Sequence, residues 1–177
     1  MTTQATALDD RVLSIEIAAP VETVWNEITK TGAIQRALYN TVLETDLKPG
    51  SRLRYYSPNK KRVFIVGEVV EVSPPTKFSH TYLFLQSMVE PTLVTWELQE
   101  SPSGCRVTLT HSGWTEANAK HHKDAARGWT EILGMLKQQV ETGDIPLKFK
   151  VMYALMGLFL GMLPKRTKVG EVEKAGW

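Results

Sequence analysis

Apolar and polar residues alternate from Arg11 to Ala18, where "RVLSIEIA" sends Leu13, Ile15 and Ile17 to one side and Val12, Ser14, Glu16 and Ala18 to the other. A period of two marks a half-buried strand. Pro20 then stands where a helix can start without losing a hydrogen bond, and "VETVWNEI" sets Val21, Val24, Trp25 and Ile28 on one face at helical spacing. The pattern predicts a short helix, interrupted near Gly32 and resuming through Ile34 and Leu38. Six further runs, "TVLET", "SRLRYYS", "RVFIVGEVVEV", "KFSHTYLFL", "TLVTWELQE" and "CRVTLTHSG", are rich in β-branched and aromatic residues. The turn formers "LKPGS", "SPNKK", "VSPPTK" and "ESPSG" part them. Such short connections join antiparallel neighbours, because a parallel crossover needs roughly a dozen residues.

After Trp114 the period changes from two to that of a helix. Thr115 is placed to cap a helix before Glu116, Ala125, Trp129, Ile132, Leu133, Leu136 and Val140 form one stripe, and Gly143 supplies a stop. Lys123, Glu131 and Lys137 look outward. The expected layout is α+β: an antiparallel sheet of about seven strands curled around one long C-terminal helix, with a short broken helix after the first strand.

Alternation also assigns the inward faces. Val94, Trp96 and Leu98 share one face, as do Val107, Leu109 and His111 on the last strand, Leu53 and Tyr55 on an early one, and Phe78, His80 and Tyr82 between them. The strand holding Gly67 is ambiguous because both its faces are partly apolar, and its glycine is read as marking a bulge. The candidate ligand-binding residues are therefore Trp25, Leu53, Tyr55, His80, Tyr82, Trp96, His111 and Trp129. Two readings of this set stand: a small-molecule cavity between sheet and helix, or a solid core in which the polar tips bond one another or the backbone. Gly128, beside Trp129, lets the helix approach the sheet or leaves space there, at a helix cost of about 1 kcal/mol relative to alanine.

The remaining chemistry is sparse. His80 and His111 are the candidates for proton transfer, but neither has a carboxylate or nucleophile partner visible in sequence, so no catalytic residue is assigned. His121 and His122 are adjacent, point in different helical directions and are read as surface residues. No paired carboxylates, phosphate loop or metal-ligand spacing appears, and neither metal nor cofactor is expected. The basic tip "NKKR", Asn59 to Arg62, is read as solvated. A net charge of +2 gives no cationic field for nucleic acid, and the single Cys105 fits a reducing, cytoplasmic setting.

Five stretches in order, "APVETVWNEIT", "LKPGSRLRY", "GEVVEVSPPTKFSHTY", "TLVTWELQESPSGCRVTLTHSGW" and "GWTEILGMLKQQVE", resemble the blocks of the family named for the activator of heat-shock protein 90 ATPase, in its bacterial stand-alone form within the SRPBCC, START-like group. The resemblance covers about residues 11 to 142. It implies a helix-grip fold with a cavity between sheet and helix that holds a hydrophobic or aromatic small molecule. Two alternatives remain: a cyclase, dehydratase or hydrolase using the same cavity, and a chaperone-associated interaction protein. The expected divisions are a flexible tail over 1–9, the START-like domain over 10–143 and an extension over 144–177.

That extension holds "VMYALMGLFLGML", Val151 to Leu163, apolar on every side. As a helix it would reach only about 20 Å, too short to span a bilayer. Three placements compete: over the domain's own cavity mouth, in a homodimer through residues 151–163, or at a membrane interface with Lys148, Lys150, Lys165, Arg166 and Lys168 toward the headgroups. Burial within the chain or in a dimer is the favoured expectation.

Overall fold

The computed structural model describes residues 6–177. The chain runs β1 (Arg11–Ile17), α1 (Val21–Thr29), β2 (Ile34–Gln35), β3 (Thr41–Glu44), β4 (Arg52–Tyr56), β5 (Val63–Ser73), β6 (Lys77–Phe84), β7 (Thr92–Ser101), β8 (Gly104–Ser112), α2 (Ala119–Thr142), α3 (Leu147–Phe159) and α4 (Val169–Lys174). The strands form one sheet in the order β1-β8-β7-β6-β5-β4-β3-β2, each pair antiparallel. α2 lies in the concave face, where Trp129, Ile132, Leu133 and Leu136 meet Trp96, Val107 and Leu109 in one buried core. This is the helix-grip arrangement, with eight strands where the alternation predicts about seven.

The extra strand, β2, replaces the expected continuation of the first helix. Gln35 is wholly buried, and its side-chain nitrogen donates to the carbonyls of Glu27, Ile28 and Lys30 at 3.3, 3.0 and 3.1 Å. Those are the carbonyls that the end of α1 leaves without helical partners. With its end so capped, and Gly32 turning the chain at φ +70°, α1 stops and Ile34 pairs with Val42 of β3.

Gly67 answers to a close approach. A Cβ there would stand 2.0 Å from the carbonyl oxygen of Thr81 in β6. The bulge lies farther along β5, between Val69 and Glu71.

β5 reads as apolar on both faces because both are covered. On the convex side Val63 and Val66 join Val42, Tyr56, Leu85 and Val172 of α4 in a second small cluster. Arg62, expected to be solvated, is buried instead. Its guanidinium donates to the hydroxyl of Thr167 (3.2 Å) and to the carbonyls of Gly161 (3.2 Å) and Pro164 (3.4 Å), the last of which also accepts from the Thr167 amide and hydroxyl. The last residues of the chain thus pass from the concave side to the convex one.

Residues 6–9 do not hang free as a tail. Ala7 bridges Thr115, the Leu8 amide donates to the Trp114 carbonyl at 2.9 Å, and the Asp9 carbonyl accepts from His122. Residues 1–5 of the expected tail lie outside the described residues.

Helix α3 turns sharply from α2, at 115°, and lays Phe149, Met152 and Tyr153 against the core. The Tyr153 hydroxyl donates to the Arg36 carbonyl at 2.8 Å. Its other side stays uncovered, with Leu147 and Leu158 exposed by 73% and 77%. Within one chain, the expected burial of this helix holds for its inner side. Among the described residues no single helix is long and apolar enough to cross a membrane.

Candidate functional site

Between the concave sheet and α2 lies a cavity of about 450 Å³. Its inner wall is made by alternation: Tyr55 from β4 and His80, Tyr82 and Phe84 from β6 all point the same way, with Trp96 of β7 behind them. Ala125, Gly128, Trp129 and Ile132, spaced three and four apart on α2, form the opposite wall. Met152 and Met156 of α3 close the mouth.

Five of the eight candidates, Tyr55, His80, Tyr82, Trp96 and Trp129, line this cavity. The other three stand in the packed core. Trp25 is buried on α1, and Leu53 is fully buried opposite Gly67 in the sheet. His111 sits behind Tyr82 and Trp129, its ring centroid 5.1 Å from the one and 5.7 Å from the other.

His111 is consumed by a closed network. The Trp129 indole nitrogen donates to His111 Nδ1 at 2.8 Å. An indole can only donate, so Nδ1 carries the lone pair and Nε2 the proton. Nε2 donates to the Thr92 hydroxyl at 2.7 Å, and that hydroxyl donates to the Tyr82 carbonyl at 3.0 Å. Burial, aided by the other three histidines, pushes the His111 pKa down to about 2. Here the solid-core reading of the polar tips is the right one.

His80 is different. Its Nδ1 lies 2.8 Å from the Thr81 carbonyl, which can only accept, so Nδ1 bears the proton and Nε2 is a free acceptor. Among the described residues Nε2 has no partner, and neither do the hydroxyls of Tyr55 and Tyr82. The three rings stand together, His80 with its centroid 6.1 Å from Tyr55 and 6.5 Å from Tyr82. Burial lowers the His80 pKa to about 4 and raises both tyrosines, so all three are neutral at physiological pH.

The rim holds the residues that alternation missed. His121, read as surface, borders the cavity and its Nδ1 lies 2.9 Å from the Ser87 hydroxyl. His122, also read as surface, is buried: Arg11 donates to its Nδ1 at 3.2 Å and its Nε2 donates to the Asp9 carbonyl at 2.8 Å. Both corrections have one cause, the N-terminal residues and the loop at Ser87 folding over the first turn of α2. Tyr39 reaches the mouth from a turn in which it and Asn40 hold φ values of 51° and 58°, a left-handed pair that no periodic pattern announces. Its hydroxyl donates to Glu131 at 3.2 Å, and burial together with that carboxylate raises its pKa to about 12. Phe84 was open to detection, since it continues the alternation of Phe78, His80 and Tyr82.

The family described as activator of Hsp90 ATPase homolog 1-like protein matches residues 18–141. No match is found among curated proteins. Solved structures of similar shape include the MLL2253 protein of Mesorhizobium loti, 20% identical over 77% of this chain and 100% of that one, with a TM-score of 0.66. CalU16 of Micromonospora echinospora is 18% identical over 87% of each chain, with a TM-score of 0.62. The Aha1 dimer from Colwellia psychrerythraea is 18% identical over 77% of this chain and 99% of that one, with a TM-score of 0.63. At such identities the likeness to these structures is one of fold. The family match, by contrast, runs from the end of β1 to the last turn of α2, and the chain belongs to the activator of Hsp90 ATPase homolog 1-like family.

Proposed function

We propose that the protein binds an uncharged, largely aromatic or hydrophobic small molecule that carries one hydrogen-bonding oxygen or nitrogen. The observation behind this reading is a trio of polar groups that face the cavity from an otherwise apolar inner wall, His80 Nε2 and the hydroxyls of Tyr55 and Tyr82, none of which has a protein partner among the described residues. A ligand group that pairs with one of them gains a net hydrogen bond of about 0.5–1.5 kcal/mol, whereas an apolar ligand that covers them without pairing incurs their desolvation. His80 accepts and the tyrosines can donate, so a hydroxyl or phenol satisfies the site. The volume of about 450 Å³ falls in the range of small-molecule pockets. A charged ligand is disfavoured, because the charged side chains that border the cavity, Asp124, Arg127 and Glu131, are exposed ones of α2, and the inner wall of Tyr55, His80, Tyr82 and Trp96 offers no charge to offset its desolvation. As a proton acceptor for catalysis His80 is weak at neutral pH, its pKa lying near 4, and binding without turnover is the better-supported role.

The test uses Nile red and then a matched pair of smaller probes. Nile red should bind saturably at one site per chain, and Gly128→Leu, which pushes a side chain from α2 into the cavity, should weaken it at least ten-fold with no loss of folded structure. Displacement of the dye by 2-naphthol should exceed displacement by naphthalene by roughly five- to ten-fold, the worth of one hydrogen bond. His80→Leu should abolish that preference. Dye binding unaffected by Gly128→Leu would place the dye elsewhere and remove the basis of the proposal.

A further inference from the structure

Beyond the cavity, one surface stands out. Helix α3 rests its inner side on the domain and leaves Leu147, Val151, Leu155 and Leu158 outside, at intervals of four, four and three along one face, and Met162 follows in the short turn after the helix. Phe159 beside them is exposed by 57% and Met162 by 80%. Isolated apolar residues on a surface are ordinary, but a continuous row of large ones calls for a partner.

The charges around the row identify its chemistry. From Ile145 to Gly170 the chain has five cations, Lys148, Lys150, Lys165, Arg166 and Lys168, and no acidic residue. Lys148 and Lys150 lie in the first turn of the helix and the other three follow its end. Lys150 pairs with Asp144, whereas Lys148, Lys165, Arg166 and Lys168 make no salt bridge among the described residues. A second copy seated on the same face would bring like charges together with no carboxylate in the segment to offset them. An anionic surface with an apolar interior offsets them and covers the row at once.

We propose that α3 is a peripheral membrane-docking element, lying flat with its outer row at the acyl boundary of an anionic bilayer and its flanking cations among the headgroups. Its 13 residues measure about 20 Å, which suits lying in the interface and not crossing it. Because the inner side is already held by Phe149, Met152 and Tyr153, docking needs no unfolding of the helix from the domain. The proposal does not depend on what the cavity holds.

Sedimentation of the full chain with large unilamellar vesicles tests it. Vesicles of phosphatidylcholine with 30% phosphatidylserine should carry the protein down, and pure phosphatidylcholine should carry it far less. Leu155→Glu with Leu158→Glu should abolish binding to both. Replacing Lys148, Lys165 and Arg166 together by serine should lower the partition onto anionic vesicles roughly 100-fold, at about 1 kcal/mol per cation, and leave the weak binding to neutral ones. All these positions are exposed, so the melting temperature should hold and serves as the check on folding. Gly128→Leu should bind vesicles like the parent, which separates this result from any failure of the cavity reading. No sedimentation with anionic vesicles overturns the proposal. So does a dimer in velocity sedimentation that the double glutamate variant splits, for that makes a second copy the occupant.

Discussion

His80 of β6 and His111 of β8 sit at the same register of the inward face, either side of Val94 of β7, and their hydrogen-bond partners set them apart. At His111 the donor-only indole of Trp129 fixes the tautomer, so Trp129→Phe leaves Nδ1 a buried acceptor without a donor. That variant should lose about 1–3 kcal/mol on this account, plus the packing of the missing ring, measured by urea denaturation at pH 7.5. Both histidines are neutral in the fold, and the unfolded chain takes up protons near pH 6.5. Their effect on stability is therefore absent above that pH and grows as pH falls, at about 1.4 kcal/mol per pH unit for each. It levels off for His80 below about pH 4, where the folded ring also protonates, and for His111 near pH 2. Between pH 6 and 4.5, His80→Gln should show a slope of unfolding free energy against pH shallower by about that amount. Sequence could place both rings on an inward face, because alternation fixes direction. It could not tell which ring was consumed, because Thr92 and Trp129 reach His111 from other elements.

Among the elements, two glycines carry opposite expectations. Gly67→Ala drives a Cβ into the backbone of β6, which has no side-chain freedom to yield, and should cost roughly 2–3 kcal/mol in chemical denaturation. Gly128→Ala meets only the Tyr39 hydroxyl at 3.8 Å, an ordinary contact, and should gain up to about 1 kcal/mol from helix propensity. A stable helix here would accept alanine, so the glycine is consistent with keeping the cavity wall low. The seven longer strands and the long helix were legible because each keeps its period for several residues. β2 was not, since two residues hold no period and the cue was a glutamine side chain capping the helix before it. The apolarity of both faces of β5 was legible but unexplained until α4 supplied the cover for the second.

At the scale of the whole molecule, the extension after α2 joins the two faces of the sheet, and Arg62 is its fastening. Arg62→Met removes the donor to the Gly161 carbonyl and to the Thr167 hydroxyl, while the Pro164 carbonyl keeps the Thr167 amide and hydroxyl. Trypsin should then cut at Lys165, Arg166 or Lys168 at least ten-fold faster than in the parent, with the sheet and α2 still folded by circular dichroism. Equal cleavage rates would show that the Val172 cluster alone holds the segment. α3 spans the interval between two fixed points, Ile145 and Phe149 in the core at one end and the Arg62 hydrogen bonds at the other. A beam clamped at both ends cannot swing open like a door; it can roll about its long axis or bow by a few ångströms. Apolar grooves run along both its flanks, meeting at Phe64 and Met156, which border the cavity as well. On the function proposed above, a ligand would enter sideways beneath the beam, through one of these grooves, and not by the lifting of a lid.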